Sequence, residues 1–249
     1  NKVHESFKIF LSCEPHHNIP VNLLENSIKI SYDAPPGLKN NILRTLYEWK
    51  DKNYFAKSGA TRARSLYALA WLHAVCLERK RYSPIGWVNG QNYEFNQADL
   101  RSGFIALEDI LARRSKTAKK GGIAWTNLIG IYSSTIYGGR LDSLDNSILY
   151  AHLSDIFNDK LMSKTCILAT FSDQSSNQPI QVSLPATANI EDYIEMTQKI
   201  VPNSNPESLG LAQNIYKTIV KQRLAQVIQN LNTLSTGFTM ENRGGSGST

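Results

Sequence analysis

Cys13-x-x-His16 and His73-x-x-Cys76 are the residues whose types and spacing come nearest to chemistry. Together they would offer the four soft donors of a tetrahedral zinc site, the second pair from one face of a helix. A simpler account serves as well. His73 and Cys76 fall in the apolar stripe of an expected helix, where a hydrogen-bonded core histidine and a small hydrophobe belong, and His16-His17 follows Pro15 in a polar loop. Phosphate chemistry has no foothold. The sequence contains no GxxxxGK[ST] loop to cradle phosphates, and the apolar run ending near Glu14 enters Pro15 instead of an acid pair that could hold Mg²⁺. No GxSxG nucleophile elbow occurs. Glu94, Asp99, Asp142 and Asp145 stand at expected helix starts, where carboxylates complement the helix dipole. No catalytic residue, cofactor-binding residue or metal ligand is therefore expected in this segment.

The elements that would position these residues read as α/β followed by mostly α. Residues 6–13, SFKIFLSC, and 28–32, IKISY, have the pattern of strands, and the apolar Phe10 suggests burial on both faces of the first. Pro35-Pro36 stops the second, and Pro36 suits the first turn of a helix carrying Leu38, Ile42 and Leu46. From Thr61 a helix carries Leu66, Leu69, Ala70, His73, Cys76 and Leu77 on one stripe and ends on charge at Glu78–Arg81. Asn96 with Asp99 caps the next, which buries Leu100, Phe104, Leu107 and Leu111. Helices over 126–137, ended by Gly138-Gly139, and 146–157 complete a bundle. Residues 166–171 and 178–184 form a hairpin, and Asn189 caps a helix to about Val201. A long final helix carries Ile215, Ile219, Leu224, Val227, Ile228, Leu231 and Leu234, a stripe that must be buried against something. Trp87, Tyr93 and Phe95 plug the edge of the helical core.

With 249 residues, 41% hydrophobic and 19% charged, the chain has the composition of a folded globular protein with one large or two modest cores. Its net charge of +6 is dispersed except in residues 113–120, RRSKTAKK, which reads as a solvated loop. No aromatic residue interleaves that block, so base stacking has no platform and no nucleic-acid partner is expected. Three cysteines, Cys13, Cys76 and Cys166, leave an odd thiol and favour a reducing compartment. No apolar run approaches bilayer length, so no membrane partner is expected. Residues 244–249 have the composition of a flexible artificial linker and are set aside.

Ordered motifs then become specific. Residues 69–87, LAWLHAVCLERKRYSPIGW, followed by Tyr93-Glu94-Phe95, Asp99-Leu100-Arg101 and residues 136–140, IYGGR, resemble the dynein heavy-chain pattern. Residues 20–45, Ile180-Gln181-Val182 and Leu209-Gly210-Leu211 followed by Asn214 fit the same order, closer to cytoplasmic than to axonemal dyneins. Extra residues at Val88–Asn92 and a shortened stretch after Arg140 depart from the family spacing, both in loops. The resemblance implies the sixth AAA+ module of the motor ring, running into the start of the C-terminal region. It implies the late strands of an AAA+ large subdomain over 1–50, a small helical-bundle subdomain over 51–160, a short hairpin and helices over 161–235, and a tail over 236–249. The motif residues with implied structural roles are Trp71, His73, Glu78, Arg79, Gly86, Trp87, Glu94, Phe95, Asp99, Leu100, Arg101, Tyr137, Gly138, Gly139 and Arg140. Such a module would close the ring and transmit conformational change without hydrolysing nucleotide, with ATP or ADP and Mg held by other modules. Its partners would be neighbouring AAA+ modules, and those of the parent chain microtubules and dynein accessory subunits, in the cytoplasm on the cytoskeleton. The rival readings are an independent α/β enzyme and a basic protein-binding module using residues 113–120.

Overall fold

A helix buried on every side is a core helix, and residues 60–79 form one in the computed structural model. It describes residues 4, 6–13, 16–30, 34–55, 59–82, 86–87, 94–117, 122–163, 165–172, 179–202, 206–212 and 214–241. Residues 1–34 and 35–249 make two separate units. In the first, α1 (Val21–Glu25) is a short helix without a buried residue. The second holds α2 (Leu38–Asp51), α3 (Ala60–Arg79), α4 (Gln97–Thr117), α5 (Trp125–Ile131), α6 (Ser143–Ile156), the strands β1 (Cys166–Ser172) and β2 (Pro179–Leu184), α7 (Ile190–Ile200) and α8 (Ile215–Glu241).

Every residue from Ala63 to Cys76 is buried, far more than the single stripe expected of this helix. The reason is its central place: α2, α4 and α6 pack on it, as do the 3₁₀ turns Asp159–Met162 and Pro206–Leu209. Leu38, Ile42, Leu46 and Trp49 supply the inward face of α2, as their spacing predicts, although Gly37 stands at its N-cap and Pro36 lies before it. Asn96 and Asp99 form the expected reciprocal cap of α4: Asp99 Oδ2 accepts from Asn96 N at 3.0 Å, and Asn96 Oδ1 from Ala98 N at 2.8 Å. Asn189 caps α7 by accepting from Glu191 N at 3.3 Å.

The hairpin forms where alternation places it. β1 and β2 pair antiparallel with Cys166 opposite Leu184 and Ser172 opposite Pro179, interrupted by an irregularity between Ile167 and Ala169. Arg64 fastens the start of β1 and the end of β2 to α3: its Nε donates to Pro185 O at 2.9 Å and its Nη1 to Ser163 O and, at 3.4 Å, to Leu161 O. Nothing in the local sequence marks Arg64 for this.

Three expectations differ from the structure. Residues 6–13 and 28–30 are not in a ladder, and their apolar side chains are exposed, Phe10 at 89% and Ile28 at 92%. A strand needs a neighbour to take its N–H and C=O groups, and no described residue offers these segments one; Tyr32 lies outside the described residues. Secondly, the basic block is no loop at its start, because α4 continues through Thr117. Arg113 pairs with Asp109 one turn back at 2.6 Å, and cations suit a helix C-terminus, so charge there is compatible with helix. Thirdly, among the described side chains of α8 only Ile215 and Ile219 are buried apolar residues; Val220, Leu224, Val227, Ile228 and Leu231 are exposed beyond that first turn, and the Leu234 side chain lies outside those described.

Candidate functional site

Charge is rarely placed at the centre of a core, yet α3 ends on Glu78 and Arg79 at 5% and 1% exposure. The two side chains depart in different directions and serve different elements. Glu78 Oε1 accepts from Gly37 N at 2.8 Å and from Asn41 Nδ2 at 2.9 Å, with Arg81 Nε at 3.5 Å. A carboxylate on α3 thereby satisfies an orphan donor at the start of α2. Burial raises the Glu78 carboxyl above its ordinary pKa, and these hydrogen bonds and Arg81 oppose that rise.

Arg79 works as a node. Its Nε donates to Gly86 O at 3.0 Å, and its Nη1 to Leu209 O at 2.5 Å and to His152 Nε2 at 3.3 Å. A guanidinium can only donate, so Nε2 of His152 is the acceptor and that imidazole is neutral. The guanidinium carbon also lies 4.8 Å from the centroid of the Trp87 ring. The α3 terminus, the 86–87 turn, α6 and the turn before α8 thus meet on one side chain. Gly86 fits only as glycine, because a Cβ there would lie 1.8 Å from Arg79 O.

Aromatic rings extend the node across the bundle. Trp87 Nε1 donates to Cys76 O at 3.0 Å, and Trp87 leans on Phe95 with centroids 6.2 Å apart. Phe95 meets Tyr137 at 5.6 Å, and Tyr137 meets Tyr132 edge to face at 5.8 Å. The regular helix expected over 126–137 is a widened turn at Tyr132–Ile136, where Tyr137 N donates five residues back to Tyr132 O at 3.0 Å. That extra residue in the turn separates the two tyrosines. Tyr132 Oη donates to Gly103 O at 2.7 Å on α4, while Tyr137 Oη lies 3.3 Å from His73 Nδ1 on α3.

Of the fifteen residues singled out in the sequence, the structure draws His73, Arg79, Gly86, Trp87, Phe95 and Tyr137 into this continuous assembly. Trp71 and Leu100 are core residues, Asp99 caps α4 and Glu78 holds α2. Gly138 is buried against Ser133 O. Glu94, Arg101, Gly139 and Arg140 are exposed, Glu94 pairing with Lys80 at 2.5 Å. Tyr93 and the extra residues 88–92 lie outside the described residues. His152, Arg64 and Asn41 are partners that sequence reasoning did not name, and only their place in the fold distinguishes them.

The arrangement binds elements of the fold together. Burial holds the Cys76 thiol up at about 12, so it carries no thiolate at neutral pH. Among the described residues no group of three or more His, Cys, Asp or Glu side chains is arranged to hold a metal ion, and no helix is long and apolar enough to cross a membrane.

A family model, the dynein heavy chain AAA lid domain, matches residues 62–215, which contain the whole of this assembly. The chain belongs to the dynein heavy chain AAA lid family. Outside the family model, this dynein lid is 34% identical over 238 residues to human cytoplasmic dynein 2 heavy chain 1, covering 94% of the chain. It is 36% identical over 233 residues, 93% of the chain, to cytoplasmic dynein 2 heavy chain 1 of Chlamydomonas reinhardtii. To the Dictyostelium discoideum cytoplasmic dynein heavy chain it is 30% identical over 237 residues, 94% of the chain. In each case the chain spans 5% of the relative's length.

Buried His73 and half-buried His152 give the lid a pH dependence. Burial, with a contribution from Arg44, lowers His73 to about 3; burial, then Arg79, lowers His152 to about 4, against the raising effects of Asp155 and the Leu209 backbone. Both folded values lie below the ordinary 6.5, so between the two the unfolded chain binds more protons, and stability is full above about 6.5 and falls as pH falls. The raised Glu78 carboxyl opposes this at acid pH. Urea titrations at pH 7 and pH 5 should differ by about 2–4 kcal/mol in unfolding free energy, whereas equal midpoints would contradict the burial of neutral histidines.

Proposed function

We propose that this chain is a non-catalytic structural part of a dynein heavy chain, the sixth AAA+ module of the motor ring running into the start of the C-terminal region. There it closes the ring and transmits conformational change in an ATP-driven, minus-end-directed microtubule motor. The observation that carries this reading is the Arg79 node, in which one buried side chain joins four parts of the lid. A body joined in this way moves as a unit, so displacement at one face is delivered to another. Residues 1–50 are the end of the large subdomain, 51–160 the small helical subdomain and 161–235 the passage to the C-terminal region. ATP or ADP with Mg is held by other modules of the parent chain. The partners are neighbouring AAA+ modules, and for the parent microtubules and accessory subunits, in the cytoplasm. The kinship with cytoplasmic dynein heavy chains supports the assignment of the chain to a dynein motor.

The absence of catalysis is tested on the chain itself. Incubated with Mg-ATP, the purified protein should release phosphate no faster than a matched blank. Hydrolysis that persists at constant specific activity through repurification would overturn the reading.

A further inference from the structure

Between α2 and α4 lies a cleft of about 530 Å³ that the Arg79 node does not use, lined by Glu48, Trp49, Lys52, Tyr54, Arg101 and Phe104 among others. Its floor is aromatic and fixed in place. Asn53 takes a left-handed φ of 55°, which folds the chain back after α2 so that Tyr54 N reaches Trp49 O at 3.0 Å. Tyr54 then stacks on Phe104 with centroids 4.6 Å apart, and Trp49 flanks both rings at 6.4 and 6.2 Å. Arg62 locks the Tyr54 backbone by donating from Nη1 to its carbonyl at 2.6 Å, while its Nε pairs with Glu108 at 2.8 Å. A floor organised in advance loses little entropy when something binds.

The rim carries two cations and one acid. Lys52 takes the Glu48 carboxylate at 2.5 Å. Arg101 stands close enough to act on the Lys52 ammonium, is exposed, and makes no hydrogen bond or ion pair with a described residue. One turn further along the same face of α4, Ile105 is 58% exposed. An unpaired guanidinium beside aromatic and branched apolar surface has the composition of an interface hot spot. We propose that this cleft docks an acidic segment of a protein partner, with a carboxylate side chain on Arg101 and an adjacent apolar side chain on the Tyr54–Phe104 stack. A polyphosphate fits worse, because Lys52 is already paired with Glu48 and Arg101 is left to balance a single carboxylate, not several phosphate charges.

A random peptide library displayed on phage, selected on the immobilised chain, tests it. Enriched peptides should carry Asp or Glu beside an aromatic or aliphatic residue. Synthesised with a fluorophore, they should bind saturably, more weakly as salt rises, and about tenfold or more weakly to Arg101→Glu. That variant should keep the wild-type urea midpoint, since the side chain is exposed. No enrichment, a consensus without acids, or equal binding to Arg101→Glu would overturn the proposal. So would a dimer of this chain that the same substitution dissolves, which would assign the cleft to self-association.

Discussion

Arg79→Met should destabilise the lid by about 3–5 kcal/mol while keeping most of the side-chain volume. The loss comes from what remains behind. Gly86 O and Leu209 O accept from Arg79 in a region that is itself buried, and a thioether donates to neither. Each orphaned carbonyl costs about 1–3 kcal/mol. The stacking of the guanidinium over Trp87 is lost as well. Arg79→Lys should rescue little, because a single ammonium on a flexible stem cannot serve the divergent acceptors that a planar fork reaches. Urea unfolding measures both. A midpoint for Arg79→Met within experimental error of the wild type would mean that the node does not hold the lid together.

Gly138→Ala should be comparably severe for a purely steric reason. A Cβ at this position would lie 1.8 Å from Ser133 O and 2.3 Å from Asn146 Oδ1. The first contact is with backbone, which cannot swing aside as the end of a side chain can. The widened turn at Tyr132–Ile136 would have to rewind, withdrawing Tyr132 from Gly103 and Tyr137 from His73. Overpacking costs about 1–3 kcal/mol, and a contact with backbone places this substitution at the upper end. Gly130→Ala is the control. It lies within α5 with nothing within 4 Å of the added carbon, and should stabilise by about 0.5–1 kcal/mol through the helical preference of alanine. Thermal unfolding of the two variants should therefore move in opposite directions. A shift of the same sign would contradict the packing described for the 132–138 turn.

What could be read from the sequence was local. The Asn96–Asp99 and Asn189 caps and the strands at 166–172 and 179–184 follow from side chains that satisfy backbone groups two or three residues away, or from alternation within one strand. The motif residues could be named because they stand in order, but their roles could not. Arg79 finds Leu209 across the fold, Arg64 finds Pro185, and Glu78 finds Gly37, each a backbone group that no periodicity points to. A charged run that ends a helix, as Glu78–Arg81 does, carries no sign of which of its side chains the fold will bury. The N-terminal strands fail from the opposite cause. Alternation reports what a strand would do once paired, and residues 6–13 and 28–30 have no pairing among the described residues. Likewise α8 shows its apolar stripe plainly, while among its described side chains only Ile215 and Ile219 are buried apolar residues.

Mechanical coupling through the node is the claim on which the functional account rests. Its most direct test is microtubule-stimulated ATP hydrolysis by the full heavy chain containing this segment, with Arg79 intact and as Arg79→Met, measured alongside ATP binding. The account predicts that nucleotide still binds in the other modules while stimulated turnover falls about tenfold or more. Unchanged turnover by a variant whose lid has demonstrably loosened would contradict it.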